Sequence, residues 1–179
     1  MNLVLDFGNT KIKAAVFSDS NEVIELFTWD NYSNNNINEI KSKYLIDNVL
    51  LCSVVEVSEE IEAYLKNNFS YYLRLTSQTP LPIKNNYSTP KTLGLDRLAA
   101  AVGANMLKPN SPLFIIDMGT AITYDFVNDK NEFVGGNIAP GVNMRLRAMN
   151  NFTNKLPLLE ARREEKLLGN DTASAMMAG

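Results

Sequence analysis

The chain has 179 residues, 45% of them hydrophobic, with 17 basic and 20 acidic residues, a net charge of −3, one cysteine and no histidine. This is enough apolar material for one packed domain or two small ones and excludes a disordered chain, while the lack of any basic block argues against a nucleic-acid partner. The missing histidine removes Ser-His triads and His-ligated zinc, so any acid–base chemistry falls to Asp, Glu, Lys or Tyr.

Strands are expected near 3–6, a short apolar run, at 11–17, where Ile12, Ala14 and Val16 alternate with Lys11, Lys13 and Ala15, and at 22–28, followed by a polar stretch holding Asn34-Asn35-Asn36. A short helix follows around 37–44, then a strand at 48–53 in which Cys52 reads as a buried thiol without a reactive role. Ser58 caps the next helix, with Glu59 and Glu60 in its first turn and Ile61, Tyr64 and Leu65 on its apolar side. Tyr71 to Leu75 forms another strand. Residues 76–92 carry three prolines and read as a loop or a crossing between lobes. Leu95, Leu98, Ala99, Val102 and Met106 recur at helical spacing, with Pro109 beyond the helix end. A second strand series begins at Leu113, turns at 128–131 and returns from Glu132 to Ile138. Two similar α/β halves joined by a loop-rich stretch imply a two-lobed protein with its ligand in the cleft. No apolar stretch nears the about 18 residues of a membrane span, and Met1-Asn2-Leu3-Val4 has no charged leader, so a soluble cytoplasmic protein is expected.

One motif occurs twice. Asp6-Phe7-Gly8-Asn9-Thr10 follows the apolar run Leu3 to Leu5, and Asp117-Met118-Gly119-Thr120-Ala121 follows Phe114 to Ile116. Each reads as strand, tight turn, strand: glycine lets backbone N–H groups approach a ligand and threonine adds a hydroxyl, the parts of a phosphate clamp. A carboxylate beside such a turn would repel phosphate unless a cation stood between them, so each Asp implies a bound metal ion. A single copy would be no more than a good hairpin turn; two equivalent copies favour the clamp. Between them, Gly94-Leu95-Asp96-Arg97 opens a helix. Taken alone, Asp96 reads as a complement to the helix dipole, Arg97 as a surface ion pair and Tyr87 as a loop anchor. Gly135-Gly136-Asn137-Ile138-Ala139-Pro140-Gly141 marks either close backbone approach or a bulge and turn.

In order, these motifs resemble the type III pantothenate kinases, members of the sugar kinase, heat-shock and actin superfamily. The two phosphate motifs are matched by Asp6 to Thr10 and Asp117 to Asp125, the Gly-x-Asp-Arg motif by Gly94 to Arg97, and the Gly-Gly-x-Ile-x-Pro-Gly segment by Gly135 to Gly141. Tyr87, Leu156-Pro157 and Asp171-Thr172 fall in the expected order. The resemblance implies an α/β, two-lobed actin-like (ribonuclease H-like) fold with duplicated mixed sheets. The first lobe would be 1–92, and 93–179 would hold a linker helix and an incomplete second lobe, because family chains continue past Gly179 into a glycine-rich adenosine-binding segment. It further implies ATP-dependent phosphorylation of pantothenate, with Asp96 as the base. Tyr87, Gly94, Leu95, Asp96, Arg97 and Thr172 would bind pantothenate. Asp6, Phe7, Gly8, Asn9, Thr10, Lys11, Ile12, Lys13 and Thr120 would bind ATP. Asp6 would lie near Mg2+, Asp117 would hold a monovalent cation, K+ or NH4+, and the protein would be a homodimer. Rival readings are a sugar or acetate kinase of the superfamily, a transcriptional accessory factor, and an inactive nucleotide-binding remnant.

Overall fold

Alternation along Asn2–Phe7 sends Leu3, Leu5 and Phe7 to one face, where all three are buried, and Val4 and Asp6 to the other. This strand, β1, is the centre of a five-stranded sheet with β2 (Ile12–Phe17), β3 (Val23–Trp29), β4 (Asn48–Ser53) and β5 (Tyr71–Arg74), in the order β3-β2-β1-β4-β5. The first three strands pair antiparallel through short turns, and β4 and β5 join parallel through helical crossovers, so the sheet is mixed. The computed structural model describes residues 1–163 and 167–179.

The two crossovers are helices α1 (Asn34–Lys43) and α2 (Glu59–Asn68). Ile37 and Ile40 of α1 and Leu65 of α2 pack on Leu3, Leu5, Phe7, Ala14, Val16, Val49 and Leu51 in one continuous core. Each such leucine or isoleucine contributes about 1.5–3 kcal/mol by leaving water. The expected polar stretch at Asn34-Asn35-Asn36 is instead the first turn of α1: the Asn35 N–H donates to the Ser33 side chain, which caps the helix. Ser58 caps α2 as expected, and Glu59, Glu60 and Glu62 occupy its first turn.

The loop expected over 76–92 contains a two-residue strand, β6 (Lys84–Asn85), and a 3-10 turn at Pro90–Thr92. Helix α3 (Leu95–Leu107) follows, but its buried face is Arg97, Leu98, Ala101 and Asn105, rotated from the expected one so that Met106 is exposed. Then come β7 (Leu113–Met118), β8 (Ala121–Val127) and β9 (Glu132–Pro140), forming a sheet in the order β6-β9-β8-β7. Only two residues join β7 to β8 and four join β8 to β9, connections that permit antiparallel neighbours alone, whereas β6 pairs with β9 in parallel. Asn110 and Asn131 both adopt left-handed backbone, φ 55° and 58°. They bond reciprocally, the Asn110 backbone N–H donating to Asn131 Oδ1 at 2.8 Å and the Asn131 side-chain amide N–H to Asn110 Oδ1 at 2.7 Å. Two further helices, α4 (Val142–Phe152) and α5 (Thr172–Ala178), complete the order.

By packing, the chain forms two compact units, residues 1–113 with 126–135, and residues 114–125 with 136–179. Among the described residues no helix is long and apolar enough to cross a membrane.

Candidate active site

In the first unit the Asp6 motif lies where β1 turns into β2. The Gly8 N–H donates to the Lys11 carbonyl at 3.1 Å, closing a connection of four residues, 8–11. A Cβ on Gly8 would stand 3.0 Å from that carbonyl, which explains glycine there. Phe7 and Ile12 flank the turn as strand partners, Phe7 buried in the core. Asn9, Thr10 and Lys11 are exposed on it, and Lys11 forms an ion pair with Asp30 at 2.5 Å. Asp6 is the cross-strand partner of Lys13 on one side and of Cys52 on the other, so these three side chains share one face of the sheet.

Helix α3, which carries Asp96 in its first turn, packs against β4. Burial pushes the Cys52 thiol up to about 12, and the charges of Asp6 and Asp96 push in the same direction. The Arg97 N–H donates to Asp96 Oδ1 at 2.8 Å, so the carboxylate folds back over the helix start. There it lies 2.5 Å from where a Cβ on residue 94 would be, and Gly94, the N-cap residue, makes room for it. Leu95 opens the helix, half-buried.

Arg97 is 5% exposed, not the surface ion pair that the sequence by itself allows. Its guanidinium carbon lies 5.7 Å from the centre of the Tyr87 ring and 6.0 Å from that of Phe133, and the two rings are 6.2 Å apart. Tyr87, Arg97 and Phe133 are therefore one cluster. Phe133, fully buried on β9, carried no sequence signal beyond that of an ordinary core residue.

The Asp117 motif belongs to the second unit. Its turn is shorter than the first: the Gly119 N–H donates to the Ala121 carbonyl at 2.9 Å, and only Gly119 and Thr120 separate β7 from β8. Asp117 and Thr120 are exposed, whereas Asp6 is half-buried, so the two copies share a sequence pattern but not one geometry. The glycine-rich segment does approach backbone closely, and the backbone is the chain's own. A Cβ on Gly136 would meet the Tyr124 carbonyl at 2.1 Å and Asp125 Oδ1 at 2.3 Å, and one on Gly141 would meet the carbonyls of Gly119 and Thr120, each at 2.4 Å. The Gly141 N–H donates to the Thr120 carbonyl at 3.0 Å, bracing the second turn. Asp125, 1% exposed, is buried on β8. Thr172 is the exposed first residue of α5, next to the N-cap Asp171, which forms a capping box with Ser174.

Among the described residues no group of three Asp, Glu, Cys or His side chains is gathered to hold a metal. A single carboxylate such as Asp6 nevertheless fits Mg2+, which keeps waters and takes the rest of its shell from substrate phosphates.

A conserved protein of Campylobacter jejuni, described as a Baf family transcriptional activator, has a solved structure similar to this one. It matches with a TM-score of 0.58 at 19% identity, over 98% of this chain and 72% of that one. That likeness shows the fold. The type III pantothenate kinase of Phocaeicola vulgatus is 41% identical over 179 residues, covering 100% of this chain and 74% of that protein. The type III pantothenate kinase of Azobacteroides pseudotrichonymphae is 43% identical, with 100% and 73% covered. The family model for type III pantothenate kinase matches residues 2–179. With that model spanning nearly every residue, and relatives at this identity matched along the full chain, the protein belongs to the type III pantothenate kinase family.

Proposed function

We propose that this protein transfers the terminal phosphoryl group of ATP to the primary hydroxyl of pantothenate, giving 4'-phosphopantothenate at the opening of coenzyme A synthesis. The observation that supports this assignment of roles is that Asp6 shares a sheet face with Cys52 of β4, the strand against which α3, with Asp96 in its first turn, packs. Phosphoryl transfer passes through a loose transition state, so positioning and charge neutralisation outweigh strong base catalysis. Asp96 orients the pantothenate hydroxyl and accepts its proton late, as the loose transition state leaves little charge on the attacking oxygen until transfer is well advanced. Arg97 faces the pantothenate carboxylate, and Tyr87, Gly94, Leu95 and Thr172 line the same ligand.

The turn from Asp6 to Lys13, with Thr120, cradles the ATP phosphates. Mg2+ beside Asp6 supplies the positive charge that lets phosphate approach a carboxylate, and Asp117 holds a monovalent cation, K+ or NH4+. We further read the chain as lobes 1–92 and 93–179, acting as a homodimer in the cytoplasm. The net charge of −3 lends no support to direct DNA binding as an accessory transcription factor.

A coupled ADP-release assay with pantothenate against a panel of sugars and acetate, run in sodium and in potassium buffers, tests the proposal. Turnover with pantothenate alone, faster in potassium, is expected. Turnover with a sugar or acetate instead refutes the substrate, and equal rates in the two salts refute the role of Asp117.

A further inference from the structure

We infer that Phe133 is a positioning residue for carboxylate recognition: its ring, with that of Tyr87, sets the Arg97 guanidinium in the orientation that reads an acidic substrate. The inference rests on the proposal that Tyr87 and Arg97 hold pantothenate.

Phe133 is fully buried on β9, and Arg97 is 5% exposed. Two ring faces lie 5.7 Å and 6.0 Å from its guanidinium carbon, so the guanidinium is seated between aromatic surfaces. Ring faces fix where the guanidinium sits, and recognition of a carboxylate falls to the planar N–H fork that distinguishes arginine from lysine. The backbone locks the same arrangement. The Lys84 N–H donates to the Asn131 carbonyl and the Asn86 N–H to the Phe133 carbonyl, both at 3.0 Å, laying β6 along β9. The Tyr87 N–H then donates to Asn85 Oδ1 at 3.0 Å, turning the tyrosine back towards Phe133. The strand pairing that carries the chain into Tyr87, the ring contact of Tyr87 and one of the two ring contacts of Arg97 thus involve the first residues of β9. That division of labour separates substrate reading from chemistry, because Asp96 is held by the start of α3 and not by β9.

The test is calorimetric binding of two ligands that differ only at the acid: pantothenate and pantothenyl alcohol, whose carboxylate is replaced by a neutral hydroxymethyl group. Phe133→Leu removes the ring and keeps an apolar side chain. Pantothenate affinity is expected to fall about tenfold, the scale of losing one desolvated cation–π contact, while pantothenyl alcohol changes by less than about twofold. Phe133→Met, closer to phenylalanine in reach, is expected to behave likewise and serves if the leucine variant does not fold. Equal weakening towards both ligands means that Phe133 is only a core residue and overturns the inference, as does failure of both variants to fold. A wild-type chain that binds the two ligands equally also overturns it. A wild-type chain that binds neither removes the proposed substrate, and this inference with it.

Discussion

Gly94→Ala tests the site where glycine makes room for the Asp96 carboxylate. The N-cap backbone at Gly94, φ −56° and ψ 128°, is open to alanine, so the substitution strains no dihedral. What it meets is Asp96 Oδ1, 2.5 Å from the new Cβ where ordinary contact begins near 3.4 Å, so the carboxylate must retreat by about 1 Å. The obstacle is the far end of a flexible side chain, and the structural loss is confined to the bond from the Arg97 N–H, about 0.5–1.5 kcal/mol. A reacting group displaced by about 1 Å costs on the order of 100-fold in rate. Urea unfolding should therefore register a small change and steady-state ADP release a large one, carried mainly by kcat. A variant that keeps wild-type kcat shows that the folded-back pose of Asp96 is not the working one. A loss of stability well beyond one hydrogen bond shows that Gly94 serves the fold.

Asp96→Asn keeps an acceptor for the Arg97 N–H and removes only the proton-accepting oxygen, so turnover should fall by about 100- to 10,000-fold with unchanged urea unfolding; retained turnover excludes Asp96 as base. Gly141→Ala drives a Cβ to 2.4 Å from two carbonyl oxygens that cannot swing aside, so stability should drop by about 1–3 kcal/mol and KM for ATP should rise as the Thr120 turn moves, whereas an unchanged melting temperature would contradict the close approach. Cys52 should resist thiol reagents at neutral pH and weaken the fold in alkali. Its thiol ionises more readily unfolded, near 9, than folded, at about 12, so stability is intact below pH 9 and falls through that window, by about 1.4 kcal/mol at pH 10. Replacing Cys52 by alanine should flatten that part of the pH dependence, and an identical alkaline slope in the variant would show that other groups cause it.

The sequence made the first unit legible because its strands obey period two and its caps are strong: Leu3, Leu5 and Phe7 point inward, and Ser58 starts α2 where its side chain foretells. Helix α1 began three residues before expectation because asparagine disfavours helix locally, while the Ser33 cap and the burial of Ile37 and Ile40 outweigh that preference. The face of α3 was misread for a related reason. Apolar spacing pointed to Met106, but Arg97 is buried and lies against the Tyr87 and Phe133 rings, and its contact with Phe133 spans 36 residues of sequence and leaves no periodic trace. A strand of two residues, β6, is too short to show alternation. Asp6, Asp96, Arg97 and Tyr87 were all nameable in advance from motif order, but the pairing of Asp6 with Cys52 comes from strand register and the contact of Arg97 and Tyr87 with Phe133 from packing between elements.

The reciprocal asparagine pair gives α3 a second fastening. Asn110 follows the helix end and Arg97 lies in its first turn, yet both are held by residues within 131–133, one through side-chain amides and the other through a ring. A helix about 20 Å long is thus clasped near each end by one short segment, much as a bracket holds a rod. Sliding α3 along its axis would loosen both grips together. Arg97 is accordingly indexed to the start of β9, and that start in turn follows a turn, 128–131, whose closing bond runs from the Asn128 N–H to the Glu132 carbonyl at 3.0 Å.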